Sequence, residues 1–171
     1  MASIAFWKKH PLSFGVWASL TTLVLDQTSK FWILSFFEPT SKSPILPRMF
    51  PVTSFFNLVL TWNRGVSFGL FAHDSRAVAW TLAGLAVGLS VLLFVWLSQA
   101  ERLLPAIGLG LVIGGALGNA IDRLRFGAVT DFLDFHLADV HFWAFNVADS
   151  GISIGVALIV IDSLVNHSQD D

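Results

Sequence analysis

Two aspartates, Asp131 and Asp149, lie at the edges of apolar segments, where a pair of carboxylates suits acid–base chemistry. Asp131 is in Val129-Thr130-Asp131-Phe132, predicted to be a short polar loop, and Asp149 ends Phe145-Asn146-Val147-Ala148-Asp149. Both lie where hydrocarbon is expected to meet water, so folding can bring them together, and acids at such positions are often functional. The spacing leaves one alternative open, in which Asp149 is a helix-capping acid and Asp131 a solvated loop residue.

The composition indicates an integral membrane protein. The 171-residue chain is 54% hydrophobic and 13% charged, which departs from the usual balance of soluble domains. A formal net charge of -2 without a basic run argues against a nucleic-acid partner. The chain has no cysteine, which excludes disulfides, thiolate metal sites and thiol nucleophiles.

The pattern of apolar segments predicts a mainly α membrane protein, a single domain over residues 1–171 with four transmembrane helices. The first long loop contains Pro39, Pro44, Pro47 and Pro51, followed by a stretch rich in Phe, Val, Thr and Trp. This loop is predicted to form a small extramembrane β unit whose aromatic residues rest on the bilayer. The predicted spans are 12–37, 76–99, 103–121 and 146–165, the β-containing loop is 38–75, and a second polar loop is 122–145.

Ionisable and polar residues inside the predicted spans form two groups. Asp26 and Lys30 are four residues apart, so they share one face of the first helix and can form an ion pair. Asn119, Asp122 and Arg123 fall within one turn at the end of the third span. For both groups the spacing favours structural pairing over direct catalysis.

Glycine spacing predicts close helix packing. Gly110, Gly114 and Gly118 recur at every fourth position of the third span, which lets another backbone approach closely. The pairs Gly84 with Gly88 and Gly151 with Gly155 predict the same elsewhere.

Other patterns suggest other functions. Gly65-Val66-Ser67-Phe68-Gly69 matches a nucleophile elbow, but the elbow requires an α/β sheet for which this chain has no room, and a tight glycine turn explains it better. An intramembrane serine hydrolase using Ser67 is therefore one alternative. A non-enzymatic proton or solute carrier using Asp26, Asp122 and Asp149 is another, although the internal repeats of carriers are absent. His136 and His141 lie in no H-E-x-x-H pattern, so no metal site is predicted.

Taken together, the motifs closely resemble those of lipoprotein signal peptidase, or signal peptidase II, a family of bacterial membrane aspartic endopeptidases. The resemblance covers nearly the whole chain. Its motifs are Asp26-Gln27 with Lys30, Asn63-x-Gly65-x-x-Phe68, Gly114-Gly115-Ala116-x-Gly118-Asn119-x-x-Asp122-Arg123, Val129-x-Asp131-Phe132 and Phe145-Asn146-x-Ala148-Asp149.

The resemblance implies that Asp131 and Asp149 are the catalytic pair, whereas Asp134 lies three residues too late in the chain. It implies no cofactor and no metal. The matching positions that would support the site or bind substrate are Asp26, Lys30, Asn63, Gly65, Asn119, Asp122, Arg123 and Asn146.

The resemblance also implies a substrate and a location. The substrate would be a prolipoprotein whose cysteine carries diacylglycerol, cut just before that cysteine, and globomycin-type cyclic peptides would inhibit the reaction. Both termini would be cytoplasmic, with the site at the outer face of the bacterial inner membrane and in contact with its lipid. Counting Lys and Arg opposes this orientation, with three in the termini and short loop against six in the long loops.

The residues suggest how the pair divides its work. One carboxylate must be ionised to take a proton from water, and the other protonated to polarise the peptide carbonyl. If Asn146 caps the fourth helix, Asp149 lies in its first turn, where the helix dipole favours negative charge. Asp149 is therefore predicted to be the base, and Asp131 to hold the proton.

Overall fold

The computed structural model describes residues 10–37, 49–65, 76–138 and 140–167. These ranges contain four helices and four strands, so the prediction of a mainly α protein with a small β unit is confirmed. In chain order they are α1 (Pro11–Phe36), β1 (Met49–Thr53), β2 (Phe56–Asn63), α2 (Arg76–Ser98), α3 (Leu103–Phe126), β3 (Val129–Leu137), β4 (Val140–His141) and α4 (Val147–His167). Ser67, the candidate nucleophile, lies outside the described residues.

Within the described ranges, three helices are long and apolar enough to cross a membrane: Arg76–Ser98, Leu103–Phe126 and Val147–Asn166. Helix α1 is also long, with 26 residues or about 39 Å at the usual rise, but it is not one of the three. Polar residues, including Asp26 and Lys30, lower its hydropathy. Three of the four predicted spans are thus supported, and membrane crossing by α1 stays a prediction.

Helix α3 is the centre of the bundle, since it packs against α1, α2 and α4. The glycine repeat explains this packing. A methyl group on Gly110 or Gly114 would collide with the α1 backbone at Gly15 or Ser19. On another face of α3, Gly108 meets Gly155 of α4 at similarly close range. The predicted close approach of helices is therefore confirmed for α3.

The same prediction is wrong for α2. Gly84 and Gly88 are exposed, and a methyl group on either would have no neighbouring atom within 4 Å in the described part of the chain. Helix α2 packs on α3 through other residues, with Ala79, Ala83, Ser90 and Leu97 buried. Spacing alone shows that the glycines share one face of a helix, but it does not show whether that face meets another helix.

The four strands form one antiparallel sheet in the order β1-β2-β3-β4. The predicted β unit of the first loop is thus completed by the second loop, because β2 pairs with β3 and places Thr61 opposite Asp131. The segment predicted as a polar loop contains the last turn of α3, β3 and β4. The prediction that Asp131 lies in a loop is therefore wrong: this residue lies in a strand that contains one Val, one Thr and two Phe, residue types that favour strands.

The sheet lies at one end of the bundle. There the last aromatic residues of α1 meet β1, with the ring centroids of Phe36 and Phe50 5.6 Å apart. The carboxyl end of α3 meets β2 in the same way, with the rings of Phe126 and Trp62 5.4 Å apart. The sheet therefore covers the end of the bundle at which α4 begins.

Candidate active site

Asp131 is buried in β3, with 2% of its surface exposed. Its Oδ1 accepts a hydrogen bond from Asn146 Nδ2 at 2.7 Å, and the Asn63 side chain also hydrogen-bonds to it. Burial raises the pKa of Asp131, and the nearby Asp149 charge adds to this rise. Hydrogen bonds from the two asparagines and the charge of Lys30 act in the other direction, and the resulting pKa is about 6. Asp131 is therefore not a solvated residue.

Asp149 lies in the first turn of α4, and Asn146 precedes that helix as its cap. Asn146 Oδ1 accepts from the Asp149 backbone N–H at 2.9 Å, while Asp149 Oδ2 accepts from the Asn146 backbone N–H at 3.3 Å. This reciprocal arrangement is a capping box, and it confirms the predicted cap. The other carboxylate oxygen, Oδ1, accepts from Asn119 Nδ2 at 2.8 Å. Asp149 thus caps its helix and also faces α3.

Two asparagines join the two aspartates. Asn146 donates to Asp131, Asn119 donates to Asp149, and Asn146 Nδ2 also lies 3.2 Å from Asn119 Oδ1. The carboxylates are close enough for the charge of one to act on the other. The structure therefore brings together the pair that the sequence singled out, on β3 and α4.

A buried ion-pair network in α1 and α3 contacts this pair of aspartates through Asn119. Lys30 Nζ lies 2.9 Å from Asp26 Oδ2 and 3.1 Å from Asp122 Oδ2, which confirms the predicted pair and adds a second acid. The same ammonium donates to Asn119 Oδ1 at 3.0 Å. All three N–H donors of the Lys30 ammonium are used. Only 3% of this side chain is exposed, and a buried charge requires such partners. Asn119 is thereby fixed in the orientation that lets its Nδ2 donate to Asp149.

The two acids of this network also bind the backbone of the elements that carry the pair. Asp122 Oδ2 accepts the Thr130 N–H at 2.9 Å, immediately before Asp131. Asp26 Oδ1 accepts the Ala148 N–H at 2.9 Å, immediately before Asp149. Helices α1 and α3 therefore position the residues on both sides of the site, which explains acids inside apolar helices.

Three residues that contribute to the site are not among those predicted from the sequence: Gln27, Thr130 and Ala148. Gln27 Nε2 donates to Asp26 Oδ2, to the Gly118 carbonyl and to Asp122 Oδ1, at 3.1, 3.2 and 3.2 Å. Its place beside Asp26 in the first motif was the available signal. Thr130 and Ala148 act through backbone N–H groups, so their side chains carry no such signal.

Arg123 and Gly65 lie at the margin of the site. The Arg123 guanidinium is near enough to Asp149, Asp131 and Asp122 for favourable charge interactions. Gly65 has φ +92°, and its N–H donates to Asn63 Oδ1 at 2.9 Å, so this glycine turns the chain directly after β2. A methyl group at Gly65 would collide with the Leu82 side chain and would be in ordinary contact with Arg123.

Asp134, His136 and His141 form a separate cluster. Asp134 Oδ2 accepts from Asn57 Nδ2 at 2.8 Å and lies 2.8 Å from His141 Nδ1, and the two histidine rings stack. Three residues separate Asp134 from Asp131, so the two side chains emerge on opposite faces of β3. Among the residues that the structure describes, no group of three or more potential ligands could hold a metal ion.

The chain resembles known proteins along nearly its whole length. A family model described as signal peptidase (SPase) II matches residues 18–165. The lipoprotein signal peptidase of Nitrobacter hamburgensis is 42% identical over 159 residues, covering 91% of this chain and 94% of the relative. That of Shewanella amazonensis is 42% identical over 168 residues, covering 96% and 95%. A bacterial membrane enzyme solved by the in meso method at 2.3 Å resolution superposes with a TM-score of 0.70 and 26% identity, over 92% of this chain and 91% of its own.

Proposed function

The chain belongs to the signal peptidase II family and removes signal peptides from lipoproteins, and on that basis we propose that it is an aspartic endopeptidase in which Asp131 and Asp149 are the catalytic pair. The observation that carries this proposal is that the two carboxylates lie close together and are connected by hydrogen bonds through Asn146 and Asn119. One of them is buried and has a pKa raised to about 6, so it retains a proton at a pH where ordinary aspartates have lost theirs.

The two positions suit different roles. Asp149 lies at the amino end of α4, where the helix dipole favours a negative charge, and it accepts hydrogen bonds from Asn119 and from backbone N–H. Asp149 is therefore the base. Asp131 is buried in β3 and holds the proton in the resting enzyme. A kcat/KM profile that shows no fall as pH rises beyond the pKa of the acid would contradict the requirement for one protonated carboxyl in this pair.

The reaction then follows from the positions of the protons. Asp149 removes a proton from water as the water oxygen bonds to the peptide carbonyl carbon, and Asp131 gives its proton to the carbonyl oxygen. In the second half of the reaction the proton on Asp149 passes to the departing nitrogen, and Asp131 recovers a proton from the hydroxyl as the C–N bond breaks. The products are a carboxylic acid on the signal peptide, which then loses its proton to water, and a free amine on the lipoprotein. The pair of aspartates regains its starting state.

The remaining residues support this chemistry by position. Lys30, held by Asp26 and Asp122, orients Asn119 toward Asp149, and Asn146 orients Asp131. Asn63 also hydrogen-bonds to Asp131, and Gly65 allows the turn that follows it. Arg123 supplies positive charge near both carboxylates. We infer that these residues position the pair and line the path of the substrate.

The membrane setting suits a lipid-modified substrate. The apolar helices and the resemblance to a membrane enzyme identify a multi-pass membrane protein. We propose that α1 is a fourth span, that both termini are cytoplasmic and that the sheet faces the outer side of the inner membrane. Asp149 is the third residue of α4, so it lies only about 5 Å into that helix. A signal peptide's apolar segment would end at this level, while the diacylglyceryl group stays among the lipids. Globomycin-type peptides would compete for the same space.

The decisive experiment is cleavage of a diacylglyceryl-modified prolipoprotein by purified wild type, Asp131→Asn, Asp149→Asn and Ser67→Ala. We expect both aspartate variants to lose activity by a factor of about 10² to 10⁴, the range of one acid or base group. Ser67→Ala should match wild type. Loss of activity in Ser67→Ala with retention in Asp131→Asn would instead support the serine hydrolase. A carrier would leave the substrate uncleaved by every form of the protein.

A further inference from the structure

A separate cavity at the sheet end of the bundle is lined by three arginines. It has a volume of about 140 Å³ and lies between the start of α2 and the end of α3. Its walls include Arg76, Trp80, Arg123, Arg125 and Phe126, and none of the lining residues that the structure describes is acidic. Converging arginines of this kind form a recess of positive charge, whose natural complement is an anion.

The surroundings of the cavity are apolar. Trp80 follows Arg76 by one helical turn and is 60% exposed, and Leu124 and Phe126 are also exposed beside the cavity. Tryptophan on the outer face of an apolar helix marks the level at which acyl chains meet headgroups, and arginine near that level attracts anionic lipids. The cavity therefore presents cations above an apolar surface, in a protein that lies in a membrane.

We propose that this cavity binds the phosphate group of an anionic membrane phospholipid, with the acyl chains lying along Trp80, Leu124 and Phe126. A guanidinium group binds two phosphate oxygens through paired hydrogen bonds. This geometry makes arginine more specific for phosphate than a point charge such as the lysine ammonium. Within the described ranges, the lining offers no carboxylate to receive a choline or ethanolamine cation. A lipid with net negative charge is thus favoured over a zwitterionic one.

The cavity touches the candidate active site through one residue. Arg123 lines it and is also within electrostatic reach of Asp149 and Asp131. A phosphate bound there would hold this guanidinium in place and fix the height of the two aspartates relative to the bilayer. Binding itself depends on Arg76 and Arg125, which have no part in the proposed chemistry, so the inference can be tested separately from catalysis.

The test is native mass spectrometry of the whole enzyme in detergent, titrated with phosphatidylglycerol and, separately, with phosphatidylcholine of the same acyl chains. Wild type should bind phosphatidylglycerol more tightly. Arg125→Gln should weaken that binding about fivefold and Arg76→Gln/Arg125→Gln about thirtyfold, with little effect on phosphatidylcholine. The double lysine variant, which keeps both charges but loses the paired donors, should bind phosphatidylglycerol with an affinity between those of wild type and the double glutamine variant. Arg102→Gln is the matched control, because Arg102 pairs with Asp162 outside this cavity.

Three outcomes would overturn the proposal: equal affinity for the two lipids, unchanged binding in the double glutamine variant, or a comparable loss in Arg102→Gln. Arg125 is exposed, so its single variant keeps the test valid if the double variant unfolds. Inorganic phosphate is added in a parallel titration. Displacement of the lipid by millimolar phosphate would assign the cavity to the free anion, whereas persistence of the lipid supports a membrane ligand.

Discussion

Asp131 and Asp134 lie three residues apart in one strand, and both are buried, yet their surroundings move their pKa values in opposite directions. Burial raises the pKa of Asp131 to about 6, with the Asp149 charge adding to the effect. Burial also acts to raise the pKa of Asp134, but hydrogen bonds from Asn57 and His141 outweigh it and the net pKa is lowered. The partners across the sheet, and not burial alone, decide which acid keeps a proton.

The difference comes from the geometry of a strand. An odd separation places the two side chains on opposite faces, so Asp131 meets Asp149 and the asparagines, while Asp134 meets Asn57 and the histidines. An acid facing another acid shares a proton, whereas an acid facing donors stays ionised. Asp131 is thus suited to acid–base chemistry, and Asp134 to holding β3 against its neighbours.

The largest expected contrast is in cleavage rate. Asp134→Asn should cleave a diacylglyceryl-modified prolipoprotein within about threefold of wild type, against the loss of about 10² to 10⁴ expected for Asp131→Asn. The physical reason is that Asp134 contacts no residue of the proposed pair in the described structure. Initial rates at saturating substrate, normalised to folded enzyme, measure both. Comparable losses in the two variants would remove the distinction between the two acids.

The second contrast concerns stability as a function of pH. Folding raises the pKa of Asp131, so this group favours the folded state below about pH 3.8 and loses that contribution as pH rises through about 6. A rise of this size corresponds to about 3 kcal/mol. Asp131→Asn removes the buried ionisation, so it should be more stable than wild type at pH 8, by up to about 3 kcal/mol, with the difference vanishing near pH 4.

Asp134 should show the opposite sign. Its folded pKa is lowered, so its contribution is present above about pH 3.8 and is lost as pH falls through the folded pKa. Asp134→Asn should therefore be less stable than wild type at pH 8. Unfolding of wild type, Asp131→Asn and Asp134→Asn in mixed micelles at pH 8 and pH 4 measures the stability of each variant relative to wild type. Destabilisation at pH 8 by Asp131→Asn would show that its ionised form is favoured in the folded protein.

Each of the two aspartates has an asparagine partner, and replacing that asparagine should have a smaller effect than replacing the aspartate. Asn146→Ala removes a 2.7 Å hydrogen bond to Asp131 and the cap of α4. Cleavage should fall by about tenfold to a hundredfold because the pair loses its alignment, and stability by about 1 kcal/mol. The alkaline limb of the kcat/KM profile should move to higher pH, since a donor to the ionised form is lost.

Asn57→Ala is the control for that change. It removes a 2.8 Å hydrogen bond to Asp134, so it should cost about 1 kcal/mol of stability. The cleavage rate and the position of the alkaline limb should stay at their wild-type values. If Asn57→Ala shifted the limb as far as Asn146→Ala does, the two faces of β3 would be coupled.

Local patterns in the sequence predicted what depends on local spacing. The pairing of Asp26 with Lys30 and the capping of α4 by Asn146 both follow from residues within one helical turn, and both are present. The glycine repeat of α3 predicted close packing for the same reason. These interactions need no knowledge of distant parts of the chain.

What the sequence could not supply depends on pairing between distant segments. Local pattern does not distinguish the strand that carries Asp131 from a loop, because its hydrogen-bond partner β2 is more than sixty residues away. The role of Asp122 as acceptor for Lys30 depends on the packing of α1 against α3, which are also distant in the chain. Periodicity places Gly84 and Gly88 on one face of α2 but does not indicate whether that face meets another helix.

The smallest expected effect is that of His141→Ala. His141 lies 2.8 Å from Asp134 but is 47% exposed, so water and salt screen the interaction, which contributes about 0.5 kcal/mol or less. Cleavage should be unchanged, and unfolding at pH 8 should shift slightly. His136→Ala, which leaves the contact with Asp134 intact, is the matched control and should shift unfolding even less. A larger loss of stability in His141→Ala than in Asn57→Ala would mean that the histidine, and not the asparagine, keeps Asp134 ionised.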